Sequence, residues 1–126
     1  MTLPKILLVI VTNVFFAASS VFFKLAVDKI GKFDFSSIAA FMPVAIRFLL
    51  SPLFLFGIAA GIAGSACYYV MLSRMNLNVA YPLLSLGYIF VAIASVLFLN
   101  ESLHLTNWLG IGLICAGIVL ITLKTQ

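Results

Sequence analysis

Asn78–Thr122 reads NVAYPLLSLGYIFVAIASVLFLNESLHLTNWLGIGLICAGIVLIT, two apolar runs parted by a single polar break at Asn100, Glu101 and His104. The first run, about Val79–Leu99, has Pro82 near its start; the second, about Trp108–Leu123, is short, with Thr106 or Asn107 placed to cap it and Trp108 suited to the headgroup level. Neither run alternates with the period of a barrel strand. In hydrocarbon every backbone polar group needs a partner within its own segment, so such runs predict membrane-spanning helices.

Working outward, the same pattern recurs twice. Leu49–Leu72 is a second apolar run, with Pro52 in its first turn, where the missing donor costs little, and with Ser73, Arg74 and Asn76 after it. Ile6–Phe23 is another, bounded by Pro4 and Lys5 on one side and by Lys24, Asp28 and Lys29 on the other. Between them lies a connector, Asp28–Arg47, in which Phe33, Phe35, Ile38, Phe41, Met42 and Ala45 recur at near-helical spacing, as expected of a helix lying at the interface. The expected fold is therefore all-α: one membrane domain over residues 1–126, a bundle of four transmembrane helices with an interfacial helical connector between the first two. Met1–Ser20 has the look of a secretory signal, but the apolar pattern continues to Phe23 and no cleavage is expected.

Composition agrees. Of 126 residues, 65% are hydrophobic and 8% charged, against roughly 25% charged in a soluble domain, and the mean hydropathy is +1.31. The net charge of +4 comes from few, scattered basic residues, which reads as headgroup anchoring and excludes a nucleic-acid partner. With four crossings, Lys5, Arg74 and Lys124 fall on one side and Lys24, Lys29, Lys32 and Arg47 on the other, three against four, so the positive-inside rule sets no orientation.

Polar side chains inside the spans are the candidate functional groups. Asn13, Ser20 and Lys24 fall at i, i+7 and i+11 on one face of the first span. One reading has Asn13 and Ser20 bonding a neighbouring helix while Lys24 reaches to the interface; the other makes Lys24 a counter-charge for an anionic headgroup, with Asn13 deeper along the same path. Tyr81, Ser85 and Tyr88, at i, i+4 and i+7, share a face of the third span as a cavity lining would. Gly57, Gly61 and Ser65, with Gly64 and Tyr68 beside them, make a strip without bulk on the second span, fit for close helix packing or for a sliding contact; Gly110, Gly112, Ala116 and Gly117 do the same on the fourth, fit for dimerisation.

Catalytic chemistry has little to stand on. A metal or hydrolytic site needs clustered His, Cys, Asp or Glu, whereas the chain has one histidine, His104, and Cys67 and Cys115 sit inside apolar runs. No glycine-rich phosphate loop occurs, so neither enzyme activity nor a cofactor is expected.

The AYPLLSL entry to the third span, the carboxylate of LNESL that closes it, and the W-x-G-x-x-L-I-x-x-G-I-x-x-I run of the fourth resemble the small four-helix members of the drug/metabolite transporter superfamily. Within it they resemble the subunits that flip aminoarabinose-linked undecaprenyl phosphate; LICAG is also similar to small multidrug resistance proteins. Small multidrug exporters carry a first-span glutamate for protons and cationic drugs. Phe16 stands at that place here, and a phenyl ring can neither titrate nor attract a cation. The lipid-flipping relatives carry a lysine at the place of Lys24. The resemblance thus implies a bacterial inner-membrane transporter that flips a polyprenyl-phosphate-linked sugar or related anionic lipid, as a homodimer or a heterodimer with a similar small subunit, in contact with membrane lipids. Its cleft would be lined by Lys24, Asn13, Ser20, Tyr81, Ser85 and Tyr88, with Arg47 attracting phosphate at the interface. The alternatives are an exporter of small amphipathic or cationic compounds and a non-transporting accessory subunit of a membrane glycosyltransferase.

Overall fold

The first apolar run forms a single helix, α1 (Leu3–Ile30), in the computed structural model, which describes residues 2–123. Its 28 residues make a rod of about 42 Å at 1.5 Å per residue, longer than the roughly 30 Å hydrocarbon layer. The expected span Ile6–Phe23 is thus the middle of a longer helix. Lys24, Asp28 and Lys29 do not end it, because charged side chains are satisfied once the helix emerges among headgroups. Gly31 ends it: at φ 103° it takes a conformation that side chains disfavour, and its N–H donates to the Val27 carbonyl at 2.9 Å.

The connector therefore begins later than expected. It is non-helical to Ser37, whose hydroxyl accepts from the Ala40 N–H at 3.2 Å and starts α2 (Ile38–Leu49). None of α2 is buried, and Ile38, Met42, Ile46 and Leu49 form an exposed apolar stripe at i, i+4, i+8 and i+11, the face of a helix that lies against lipid. Aromatic rings hold it in place: Phe33 packs on Phe41 and Phe48 at centroid distances of 5.9 and 5.3 Å, Phe48 on Phe54 at 4.6 Å, and Phe54 on Phe23 of α1 at 5.4 Å.

Ser51 then caps α3 (Pro52–Arg74), accepting from the Phe54 N–H at 3.1 Å. This helix runs antiparallel to α1, and the strip of small residues is where the two meet. Gly57 lies under Phe23, Gly61 against Ser19 and Gly64 against Phe15 and Phe16; a methyl group at residue 57 would stand 2.6 Å from the Phe23 ring. The strip is thus packed against α1. Ser19 fastens it, donating to the Gly57 carbonyl at 2.8 Å.

The third span departs most from expectation. It is two helices, α4 (Leu77–Leu84) and α5 (Gly87–Leu99), joined at Ser85 and Leu86. Pro82, inside α4, has no N–H and perturbs the turn before it; at the joint itself Ser85 Oγ donates to the Pro82 carbonyl, the acceptor that an unbroken helix would give to the Leu86 N–H. Through the joint the backbone uses tighter i to i+3 bonds, Ser85 N–H to Pro82 O at 3.0 Å, Leu86 to Leu83 at 3.3 Å and Tyr88 to Ser85 at 3.1 Å. Ser85 and Leu86 keep right-handed angles, so Leu77–Leu99 still makes one crossing.

Asn100, left-handed at φ 53°, ends α5, and the Glu101 N–H donates to Ser95 O at 3.1 Å. The last helix, α6 (Leu105–Leu123), begins earlier than Trp108, so Thr106 and Asn107 fall inside its first turn and neither is the residue that caps it. Lys124 lies outside the described residues. Among the described residues, four helical stretches are thus long and apolar enough to cross a membrane, α4 and α5 counting together as one.

The core sits at one end, where Val9, Met71, Ala80, Leu83 and Ile118 pack together. There Ile114 and Ile118 tie α6 to the cluster, and a methyl group added at glycine 110, 112 or 117 would meet nothing within 4 Å. The accessible surface, 8442 Å², exceeds the roughly 6,600 Å² of a compact chain of this mass. Most of α6 stands clear of the bundle.

Candidate functional site

A cavity of about 340 Å³ opens between α1 and the broken third span. Five of the seven expected residues line it, Asn13, Ser20, Tyr81, Ser85 and Tyr88, together with Phe16, Ala17 and Gly87. The helical spacing that grouped them in two faces is correct, and the parallel run of α1 and α5 brings those faces together. Tyr81 and Tyr88 stand at the open rim, 68% and 60% exposed, and Tyr81 also borders a second hollow of about 520 Å³ with Tyr68 and Asn78, so the polar surface continues toward the start of α4.

Asn13 is deeper and already committed. It is 1% exposed, and its amide donates to the Val9 carbonyl at 2.9 Å and across to the Leu83 carbonyl at 3.2 Å. The Leu83 carbonyl also accepts from the Leu86 N–H in the tightened turn at the joint, so Asn13 braces the break from the facing helix. Gly87 lets it come close: a methyl group there would stand 2.9 Å from Asn13 Oδ1. This is the reading in which Asn13 bonds a neighbouring helix. Ser20 and Ser85 likewise donate to their own helices, to Phe16 O at 3.0 Å and to Pro82 O, leaving hydroxyl oxygens as acceptors. The Tyr81 and Tyr88 hydroxyls have no hydrogen-bond partner among the described residues.

Lys24 and Arg47 do not line this cavity. Lys24 is one turn beyond Ser20 on the same face, and its ammonium pairs with Asp28 at 3.1 Å, both side chains about half exposed. The cleft itself is neutral. Arg47 lines a different cavity with Lys29 and Ser51. Phe16, which aligns with the glutamate of small multidrug exporters, lines the cleft on the same face; sequence reasoning missed Gly87 as the partner of Asn13 and the joint after Leu84. Among the described residues no three His, Cys, Asp or Glu side chains are grouped to hold a metal, and Cys67 and Cys115 are free thiols.

The profile of the EamA-like transporter family matches residues 3–123, the whole of this architecture. The chain belongs to the EamA-like transporter family. It is a multi-pass membrane protein of a transporter family, and relatives within reach of direct alignment carry a more specific name. A probable 4-amino-4-deoxy-L-arabinose-phosphoundecaprenol flippase subunit ArnF of Sodalis glossinidius is 36% identical over 88 residues, 63% of this chain and 68% of that protein. The probable subunit ArnE of Aeromonas hydrophila is 37% identical over 73 residues, 58% of this chain and 64% of that one. The ArnE of Yersinia pestis (strain Pestoides F) is 37% identical over 59 residues, 47% and 52% of the two chains. The chain thus spans between about half and two thirds of the length of these relatives. No solved structure matches it.

Proposed function

We propose that this EamA-like protein moves a polyprenyl-phosphate-linked sugar, or a related anionic lipid, between the leaflets of a bacterial inner membrane. The observation that carries the proposal is the neutral cleft of hydroxyls and rings beside a broken span, opening sideways from α1 and α5. A sugar ring stacks on aromatic faces and exchanges hydrogen bonds with hydroxyls, and Phe16, Tyr81, Tyr88, Ser20 and Ser85 offer both. The lipid tail stays in the bilayer. Lys24, one turn beyond the cleft, attracts the phosphate in exchange for part of its bond to Asp28. The names of the ArnE and ArnF relatives, which specify a lipid of this class, support the same cargo.

A cation exporter would need a carboxylate in the cleft, and none lines it. The active form on this reading is a dimer, with itself or with a similar small subunit. Support comes from α6, where a methyl group added at any of its glycines would meet nothing within 4 Å, and from the open surface of the single chain; in this class of transporter, cargo sits where two repeats meet and access alternates between them.

The test is reconstitution in vesicles with a fluorescent polyprenyl-phosphate sugar, with and without a co-expressed small relative, following loss of signal to a membrane-impermeant quencher. Transport that Tyr88→Ala reduces at least tenfold is expected, and Lys24→Gln should slow the phosphate-bearing probe more than a neutral glycolipid. Transport unaltered in both variants would overturn the proposal.

A further inference from the structure

At the far end of α1 from the core, three chain segments converge on a second cavity. The last turns of α1 and α2 and the first turn of α3 enclose about 230 Å³, lined by Lys29, Ile30, Arg47, Ser51, Pro52 and Leu53. It shares no lining residue with the cleft. Both of its charged groups are cationic, and no carboxylate offsets them. Among the described residues Asp28 is held by Lys24 at 3.1 Å. Asp34 accepts from the Ser36 N–H at 2.9 Å, and Glu101 makes no ion pair.

The placement is built, not incidental. Arg47 precedes Phe48, whose ring packs on Phe33 and Phe54 at 5.3 and 4.6 Å, so the end of α2 is held against the connector and α3. Ser51 accepts from the Phe54 N–H at 3.1 Å, which leaves its own hydrogen free to donate. A fork-shaped guanidinium, a compact ammonium and a hydroxyl facing one hollow are the donors that a tetrahedral oxyanion needs. Depth agrees: α1 outruns the hydrocarbon layer by about two turns in all, and the apolar stripe of α2 faces outward beside the hollow. The volume is below the roughly 300 Å³ of a drug-sized pocket, so it suits one small anionic group.

We infer that Lys29, Arg47 and Ser51 form a binding site for a phosphate group at the membrane interface, separate from the transport cleft and independent of what the cleft carries. A lipid headgroup and free phosphate share this chemistry, and the experiment separates them. The full chain in detergent is titrated with dioleoyl phosphatidic acid, and with dioleoyl phosphatidylcholine for comparison, with bound lipid counted by native mass spectrometry. Lys29→Gln combined with Arg47→Gln should weaken phosphatidic acid binding about 30-fold at low salt, roughly fivefold for each basic residue. The control pair Lys5→Gln and Arg74→Gln, which removes equal charge from the opposite end, should change it less than threefold. Arg47→Lys, which keeps charge and fold, should lose a smaller part through loss of the fork. Displacement of the lipid by 10 mM inorganic phosphate would identify free phosphate as the ligand, and its failure to displace would identify the headgroup. Equal losses in the two charge-matched pairs, or none in either, would overturn the site.

Discussion

Replacing Gly87 with alanine is the sharpest probe of how the third span is held to α1. The added methyl group would stand 2.9 Å from Asn13 Oδ1, and Asn13 is pinned at its other end by bonds to the Val9 and Leu83 carbonyls at 2.9 and 3.2 Å. The amide cannot retreat without giving up the bond to Leu83, so Gly87→Ala should cost about 1–3 kcal/mol, the range for overpacking. Asn13→Ala alone should cost about 0.6–1.7 kcal/mol for the interhelical hydrogen bond, plus a term for lost volume. In the double variant the obstructing atom is gone and alanine is the better helix former by up to about 1 kcal/mol. Gly87→Ala should then be harmless, and the cycle should show a coupling of about 1–3 kcal/mol. The assay is unfolding of all four proteins in mixed micelles with increasing dodecyl sulfate, followed by circular dichroism. Additivity within about 0.5 kcal/mol would refute the claim that Asn13 and Gly87 form one contact.

Ser19→Ala removes the 2.8 Å bond to the Gly57 carbonyl and should destabilise the α1–α3 pair by about 0.6–1.7 kcal/mol in the same unfolding assay. Gly57→Ala, which places a methyl 2.6 Å from the Phe23 ring, should cost about 1–3 kcal/mol; Gly112→Ala, with nothing within 4 Å, should leave the midpoint unchanged or raised while lowering the cross-linked dimer fraction. Asp34 has its pKa lowered by hydrogen bonds from Ser36, so its contribution to ordering the connector is present above the ordinary carboxylate range of about 4 and is lost as pH falls through the lowered value; amide exchange at Ser36 should quicken there and not in Asp34→Asn. Tyr81→Phe combined with Tyr88→Phe keeps both rings and removes both free hydroxyls, and should slow transport of a phosphate-bearing probe at least tenfold in vesicles.

What could be read in advance followed from properties that add up along the chain. Hydropathy summed over twenty residues finds a span, and the 3.6-residue repeat correctly placed Asn13 with Ser20 and Tyr81 with Ser85 and Tyr88. The ends of helices were less legible. Lys24 and Asp28 looked like a boundary, yet at i, i+4 they form an ion pair that extends α1. Pro82 was read only as lying near the start of one continuous span, but α4 begins at Leu77 and ends at Leu84, so the span is divided just after it. The role of Asn13 depends on Leu83, 70 positions away. No local pattern contains that contact. The loose attachment of α6 to the bundle was equally hidden, since its composition is as apolar as that of the packed spans.

The division of charge between cleft and rim limits what one copy of the chain can do. Bringing a phosphate into low dielectric costs several kcal/mol even after relaxation, and a hydrogen bond to a charged group returns about 1.5–3 kcal/mol. The cleft has two free donors, the Tyr81 and Tyr88 hydroxyls, because Asn13, Ser20 and Ser85 already donate to backbone carbonyls. Two donors return about 3–6 kcal/mol, enough to lower the barrier but without the opposite charge that would trap the anion midway. A cation at Asn13 would reverse that balance, holding the phosphate where it must pass. On the dimeric reading proposed above, the missing compensation would come from across the open side of the cleft, where Tyr81 and Tyr88 are mostly exposed, as donors contributed there by a second subunit.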